Sequence, residues 1–186
     1  ERFVKFTNRD EASFFEKEAD IKKVEKNIGF KISENQNFIE YSELCFNYLK
    51  KISKIIKKND GGLLLIDYGY IDGNMENTLH AVSNHKIANI LKNIGNSDIT
   101  HNLNFKFFQN FIKQMGGLSV NLTTQEEFLI KLGIKERAEI ISKNKDFLKK
   151  ADIYYRLQRL IDQKQMGNLF KVMLIKDEKN KFKLGF

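Results

Sequence analysis

The feature that most constrains the fold is the run Gly61-Gly62-Leu63-Leu64-Leu65-Ile66-Asp67-Tyr68-Gly69-Tyr70. Four consecutive aliphatic residues end at a carboxylate, which is typical of a strand buried on both faces, as in a parallel sheet. Open α/β sheets place ligands just beyond the carboxyl ends of their strands, so Asp67, Tyr68 and Tyr70 are the first candidates for chemistry. In the alternative interpretation Asp67 starts a turn and the tyrosines pack over the strand end.

The charge of the chain does not by itself indicate a nucleic-acid partner. The 186 residues carry a formal net charge of +8, but the lysines are scattered, without the arginine and aromatic interleaving of a nucleic-acid surface. Heavy use of Lys, Asn, Ile and Phe without Pro or Trp is the pattern of an AT-rich, bacterial genome. We therefore predict a solvated basic face, and no steeply salt-dependent affinity for DNA or RNA.

The cysteine content and the length of the apolar runs indicate the compartment of the protein and whether it contacts a membrane. Cys45 is the only cysteine and lies in an apolar helical pattern, which favours a reducing compartment. No apolar run approaches the length of about 20 residues that a bilayer requires. We predict a cytoplasmic protein without a membrane partner.

The order of predicted elements is hairpin, helix, strand, long loop, helix, strand, helical insertion and strand. Residues 3–6 and 12–15 alternate as two strands around Asn8-Arg9-Asp10, and residues 21–32 are assigned only as a connector. The first helix begins after Ser42 with an apolar stripe, and Gly61-Gly62 should supply its left-handed cap. Asn104 should cap the next helix, and Thr124 with Glu127 has the spacing of a capping box. The predicted stripe of the first helix is Leu44, Tyr48, Ile52 and Ile55.

No cofactor or metal motif stands out in these residues. Gly61-Gly62 precedes its strand, whereas a phosphate-binding glycine loop follows a strand and opens a helix. His80 and His85 are five apart, which is poor spacing for one helix face, so we predict no metal site.

Several ordered blocks resemble a known family. They are FIEYS at 38–42, LIDYGY at 65–70, NTLHAV at 77–82, DITHNLNF at 98–105, TQEEFL at 124–129 and MGNLFKV at 166–172. These blocks are similar to those of the MidA-like S-adenosylmethionine-dependent methyltransferases, which include the mitochondrial arginine methyltransferase needed for respiratory complex I assembly. Asn77 and Asn104 stand where the family usually has Asp.

The resemblance implies an α/β fold that is the carboxyl-terminal half of a class I, Rossmann-like methyltransferase sheet. Residues 1–37 would form a peripheral hairpin and connector. Residues 38–186 would carry the half-domain, with a helical insertion at about 124–168, before the last strand. The glycine-rich loop and ribose-binding acid of the family would lie upstream, so this chain would be a fragment that does not bind S-adenosylmethionine alone and works with an amino-terminal half or a complementary chain.

The function implied by the resemblance is transfer of a methyl group to a protein side chain, an arginine nitrogen, linked to complex I assembly. Asp67 is then the catalytic candidate, and the substrate-binding candidates are Tyr68, Tyr70, His101 and Glu40. Whether this chain is itself an enzyme stays open. The alternative is a noncatalytic remnant or assembly module that binds a protein partner through its helical insertion.

Overall fold

The computed structural model describes residues 1–8, 11–92 and 94–186. They fall into two units, Glu1–Glu43 with Asn74–Asn102, and Leu44–Gly73 with Leu103–Phe186. The strands are β1 (Arg2–Asn8), β2 (Glu11–Glu16), β3 (Gly62–Tyr70), β4 (His80–Ser83), β5 (Lys86–Ala88), β6 (Asp98–Thr100), β7 (Leu103–Asn104), β8 (Leu118–Thr124) and β9 (Phe170–Asp177). The helices are α1 (Ile21–Ile28), α2 (Glu43–Asn59), α3 (Phe105–Gln114), α4 (Gln125–Lys131), α5 (Ile134–Ser142), α6 (Phe147–Ile161) and α7 (Met166–Leu169).

The first unit opens with the predicted hairpin, since β1 and β2 pair antiparallel. Arg9 and Asp10 of the predicted turn lie outside the described residues. The assignment of residues 21–32 as a mere connector is wrong, because they contain α1. The Asp20 side chain accepts a hydrogen bond from the Lys23 amide at 3.0 Å, and Gly29 closes the helix with a φ of 85°.

The region predicted as a long loop contains a small sheet of its own. Strand β4 pairs antiparallel with β5 on one side and with β6 on the other. Ala81 at its centre is fully buried. The sequence did not predict these strands, because segments of three or four residues are too short to show the alternation of apolar and polar residues that is typical of a strand.

The second unit is built on a mixed sheet with the order β7-β3-β9-β8. Strand β9 is antiparallel to both β3 and β8, whereas β7 is parallel to β3. The three single strands in the predicted order of elements are therefore confirmed, as β3, β8 and β9. The core of the sheet is β9, whose residues 171–176 are all buried.

The prediction that β3 is buried on both faces, in a parallel sheet, is wrong. Its long partner β9 is antiparallel, and Leu64 and Ile66 are 46% and 48% exposed. Leu63 and Leu65, on the opposite face, are half-buried. The reason is that β9 pairs with one edge of β3 from Gly62 to Tyr68, while β7 reaches the other edge only at Gly69 and Tyr70.

Helix α2 buries a different stripe from the predicted one. Of the predicted stripe, Leu44, Tyr48 and Ile55 are 65%, 56% and 59% exposed, and Ile52 is half-buried. The buried residues are Phe46, Leu49, Ser53 and Ile56. Both stripes have helical spacing, so periodicity alone cannot choose between them.

The choice of stripe is explained by a phenylalanine cluster between α2 and α3. The Phe46 ring lies 4.8 Å from that of Phe107, 5.5 Å from Phe108 and 4.7 Å from Phe111, measured between centroids. Aromatic pairs at these distances add to the free energy of burial.

The end of α2 and the start of α3 test two cap predictions. At the end of α2 the left-handed residue is Asp60, with a φ of 50°, so the prediction of a glycine cap at Gly61 is wrong. The predicted cap of α3 is confirmed, since the Asn104 side chain accepts a hydrogen bond from the Phe107 amide at 2.9 Å.

The helical insertion between β8 and β9 comprises α4 to α7, and its first helix shows half of the predicted capping box. The Thr124 hydroxyl oxygen accepts a hydrogen bond from the Glu127 amide at 3.2 Å. The Glu127 carboxylate accepts a hydrogen bond from the Thr123 hydroxyl, and not from the Thr124 amide as a complete capping box requires. Among the described residues, no helix is long and apolar enough to cross a membrane.

Candidate functional site

Asp67 lies near the carboxyl end of β3 with an exposed side chain. Its Oδ1 accepts a hydrogen bond from the following amide, that of Tyr68, at 2.8 Å. This bond limits the rotation of the carboxylate and leaves Oδ2 available to an incoming donor. The arrangement suits a cationic, hydrogen-bond-donating group such as a guanidinium, which carboxylates bind in pairs of bonds.

The two tyrosines beside Asp67 are in different environments. The Tyr68 ring, 39% exposed, lies over the Phe170 ring of β9 with 4.2 Å between centroids and a 35° tilt. Tyr70 is half-buried two residues further on, at the position paired with Asn104. An aromatic wall therefore follows the end of the strand, and such faces attract cations.

Gly69 is required by the close approach of β7. A Cβ atom at this position would lie 2.2 Å from the Leu103 carbonyl oxygen and 2.8 Å from the nearest carbon of the Phe105 ring. The absence of a side chain lets β7 pair closely with β3 at Gly69, whose neighbours Tyr68 and Tyr70 both point to the opposite face of the strand. Gly69 thus sets the geometry of the strand end.

A buried lysine faces the same position from the neighbouring strand. Lys171 is the register partner of Asp67 and is only 7% exposed. Its ammonium donates hydrogen bonds to the Asn168 carbonyl and, at 3.3 Å, to the Asn168 side-chain oxygen. Burial lowers the pKa of Lys171. The ammonium therefore links Asn168, near the end of α7, to β9 at the position paired with Asp67.

Glu40 belongs to the first unit and is held by one threonine. Its Oε1 accepts a hydrogen bond from the Thr78 amide at 3.0 Å, and its Oε2 accepts one from the Thr78 hydroxyl at 2.8 Å. The same hydroxyl oxygen accepts a bond from the Asn102 amide at 2.9 Å. The Thr78 carbonyl is in turn 2.7 Å from Nδ1 of His80. Glu40 is thus a fixed, half-buried carboxylate.

His101, the remaining candidate, has an exposed side chain in the first unit. The structure therefore brings together Asp67, Tyr68 and Tyr70 on one strand end, whereas Glu40 and His101 belong to the other unit. Across the described ranges, no group of three His, Cys, Asp or Glu side chains could hold a metal ion.

Sequence reasoning missed three contributors to these arrangements. Thr78 and Lys171 enter the sequence analysis only as members of the blocks NTLHAV and MGNLFKV. The one signal for Gly69 was its place between two tyrosines at the end of an apolar run. A glycine inside a strand pattern indicates a close backbone approach, and here that approach comes from β7.

The fold is that of solved COG1565 superfamily proteins. One from Burkholderia thailandensis matches with a TM-score of 0.76 and 18% identity, over 99% of this chain and 50% of its own. Another COG1565 structure from the same organism, bound to S-adenosyl-homocysteine, matches with a TM-score of 0.70 and 19% identity, over 99% of this chain and 48% of its own. These likenesses show a mixed α/β fold shared with that superfamily.

Sequence comparison leads from the fold to the family. "Protein arginine methyltransferase NDUFAF7, mitochondrial" of Danio rerio is 25% identical over 141 residues, which are 74% of this chain and 32% of that protein. The Xenopus tropicalis protein of the same name is 26% identical over 139 residues, again 74% and 32%. The chain thus spans about a third of the length of these curated relatives. The family described as "Putative S-adenosyl-L-methionine-dependent methyltransferase" matches residues 1–124, and the chain belongs to it.

Proposed function

We propose that this chain is the carboxyl-terminal portion of a S-adenosylmethionine-dependent protein methyltransferase that acts on arginine and is linked to respiratory complex I assembly. Strands β3, β8 and β9 would be the fifth, sixth and seventh strands of a class I, Rossmann-like sheet. Helices α4 to α7 would be the insertion before the last strand. The arginine acceptor is supported by the relatives in Danio rerio and Xenopus tropicalis, which are named as protein arginine methyltransferases.

The observation that carries the proposal is the open edge of β3. An apolar strand inside a sheet needs a neighbour on each edge, yet residues 62–68 of β3 have one only on the β9 side. Leu64 and Ile66 are about half exposed, although burying such a side chain fully is worth about 1.5–3 kcal/mol. An additional parallel strand on this edge would pair its backbone and help to cover both residues.

Helix α2 offers a second uncovered surface that fits the same explanation. Leu44, Tyr48 and Ile55 recur at helical spacing and are all more than half exposed. A helix that is apolar on two faces is typical of a layer packed between other elements. We infer that the amino-terminal half of the enzyme, on the same polypeptide or on a complementary chain, covers this stripe.

We propose that the methyl donor binds outside the residues described here. Its family site needs a glycine-rich turn that follows a strand and opens a helix, whereas β3 ends at Tyr70 and residues 71–79 after it form neither helix nor strand. In the complete enzyme the donor would supply an activated methyl group. We assign this chain the acceptor side only.

On the acceptor side, Asp67 is the proposed catalytic residue. Its carboxylate would hold the guanidinium of the substrate arginine by charge-assisted hydrogen bonds and accept the proton that the reacting nitrogen loses. Tyr68 and Tyr70 would line the pocket, with Phe170 fixing the Tyr68 ring. Glu40 and His101 are proposed as further substrate-binding residues, Glu40 because Thr78 restrains its carboxylate.

The test is calorimetric titration of S-adenosylmethionine into this chain, first alone and then with a separately produced amino-terminal half. We expect heat of binding only in the second mixture. The double variant Leu64→Asp/Ile66→Asp should abolish this complementation, because it places charge on the open edge. Ile87→Asp, at an apolar position in the first unit that is 84% exposed, should leave it intact.

Three results would contradict the proposal, each in a different way. Binding by the chain alone would show that the donor site lies within these residues. Absence of binding in both mixtures, with folded components, would favour the alternative, a noncatalytic assembly module that binds a protein partner. A steeply salt-dependent affinity for DNA or RNA would instead indicate a nucleic-acid function.

A further inference from the structure

An apolar surface lies at the junction of α5 and α6, within the helical insertion. We call it the tip surface, defined by Ile140, Ile141, Phe147, Leu148 and Tyr155. Phe147 and Leu148 are 82% and 78% exposed, Ile140 is 68% exposed and Tyr155 is 70% exposed. Isolated exposed apolar residues are ordinary, but several large ones clustered together mark a contact surface.

The tip surface is distinct from the face by which α6 packs on the protein. Ile153, Leu157 and Leu160 lie along one side of the helix and are half-buried. Leu148 and Tyr155 are seven residues apart, so they share one side of the helix, and that side is opposite the packed one. Helix α6 therefore carries exposed apolar side chains, Leu148 and Tyr155, on the side opposite the one by which it packs on this chain.

The charge around the tip surface is strongly positive. Between positions 140 and 160 there are six basic and two acidic residues. The two acids, Asp146 and Asp152, are each in an ion pair within α6 or at its start, with Lys149 at 3.1 Å and Arg156 at 2.9 Å. Lys143, Lys145 and Lys150 add exposed positive charge directly beside Phe147 and Leu148.

We propose that the tip surface docks onto an anionic lipid bilayer, with Phe147 and Leu148 entering the headgroup region and the surrounding lysines contacting lipid phosphates. Aromatic and aliphatic residues flanked by lysines are the composition of helices that bind membrane interfaces. This contact needs no spanning helix, so an apolar run of the length that a bilayer requires is not part of it.

The geometry favours a bilayer over a protein groove. Phe147 and Leu148 are consecutive, so their side chains diverge by about 100° around the helix axis. A rigid groove accommodates one helix face, whereas a fluid interface surrounds both side chains. The net positive charge also disfavours a second copy of this chain as the occupant, because two such surfaces would repel each other.

The experiment uses the absence of tryptophan from the chain. Phe147→Trp introduces a single fluorophore on the tip surface, and Ile87→Trp introduces one at a position in the first unit that is 84% exposed. Each variant is mixed with vesicles of equal parts phosphatidylglycerol and phosphatidylcholine, and with vesicles of phosphatidylcholine alone. We expect a blue shift, and quenching by brominated lipid, only for Phe147→Trp with the anionic vesicles.

A matched pair of charge variants separates docking from general adsorption of a basic protein. Lys145→Glu/Lys150→Glu should lower the vesicle partition coefficient at least about tenfold, whereas Lys54→Glu/Lys58→Glu, the same charge change on α2, should lower it less than about threefold. Circular dichroism checks that all variants are folded.

Three results would overturn the proposal. They are absence of binding to anionic vesicles, equal effects of the two charge variants, and equal fluorescence changes at positions 147 and 87. If the tryptophan emission of Phe147→Trp shifts to the blue with increasing protein concentration in the absence of vesicles, and sedimentation shows a dimer, the tip surface binds a second copy of this chain. Each of these outcomes is independent of the calorimetric test for the methyl donor.

Discussion

Replacement of Gly69 by alanine should destabilise the second unit and disturb the end of β3. The new Cβ atom would lie 2.2 Å from the Leu103 carbonyl oxygen and 2.8 and 2.9 Å from two carbons of the Phe105 ring. Nonbonded carbon atoms are normally about 3.5–4.0 Å apart, so β7 would have to move by about 1 Å or more. Phe105 cannot easily yield, because it is fully buried at the start of α3.

The magnitude follows from the cost of overpacking a rigid site. Added methyl groups in tightly packed positions cost about 1–3 kcal/mol, and occasionally more when backbone must move. For a chain of this size, each kcal/mol lowers the melting temperature by about 2–4 °C. We therefore expect Gly69→Ala to melt about 2–12 °C below the wild-type chain, measured by far-ultraviolet circular dichroism.

Gly62→Ala is the matched control, because it makes the same change at the other end of the same strand. Its Cβ atom would lie 3.5 Å from the Ile175 carbonyl oxygen and 3.8 Å from Cδ1 of Leu174, which are ordinary contacts. Alanine at such a site stabilises a protein by about 0.4–1 kcal/mol through the unfolded state. If Gly69→Ala melts at or above the temperature of Gly62→Ala, the inferred close approach of β7 does not exist.

Three further predictions concern the free energy of unfolding measured in urea. Phe46→Ala should lower it by about 3–5 kcal/mol, because the substitution empties the centre of the phenylalanine cluster. Leu44 is 65% exposed, so Leu44→Ala should change the free energy of unfolding by less than about 1 kcal/mol. Equal losses in the two variants would refute the packing of Phe46 in the cluster. Asn104→Ala should lower it by about 0.5–2 kcal/mol through loss of the α3 cap, and an unchanged midpoint would contradict that role. Hydrogen bonds from the Ser33 and Ile32 amides and the Ser33 hydroxyl lower the pKa of Glu25 from 4.5 to about 2, so its stabilising effect is complete above pH 4.5 and is lost as the pH falls through 2. The difference between wild type and Glu25→Gln should therefore shrink over that range, and a constant difference would refute the linkage.

Much of the candidate site was predictable from β3 alone. An apolar run that ends in a carboxylate and two tyrosines places those residues at one strand end because a strand has a fixed rise, and the alternation of the strand puts Tyr68 and Tyr70 on the face opposite to Asp67. Local chemistry also predicted the Asn104 cap and part of the Thr124 cap, since each involves residues three apart in sequence.

The supporting contacts were not predictable, because they join residues distant in sequence. Lys171 faces Asp67 only after the chain has passed through the whole helical insertion and returned as β9. Thr78 meets Glu40 across 38 positions. No local pattern encodes such pairings, and the resemblance supplied the order of the blocks without their contacts.

The sequence by itself determined the type and order of most elements and, through its ordered blocks, the family. These features depend on residue spacing and composition, which can be read directly from the sequence. Only the tertiary structure decided which of two stripes with helical spacing α2 buries, that β3 has an open edge, and that α6 leaves Leu148 and Tyr155 exposed. Those outcomes depend on which surfaces pack against each other. The surface that each element buries is determined by the packing free energy summed over distant parts of the chain, and no local pattern contains that sum.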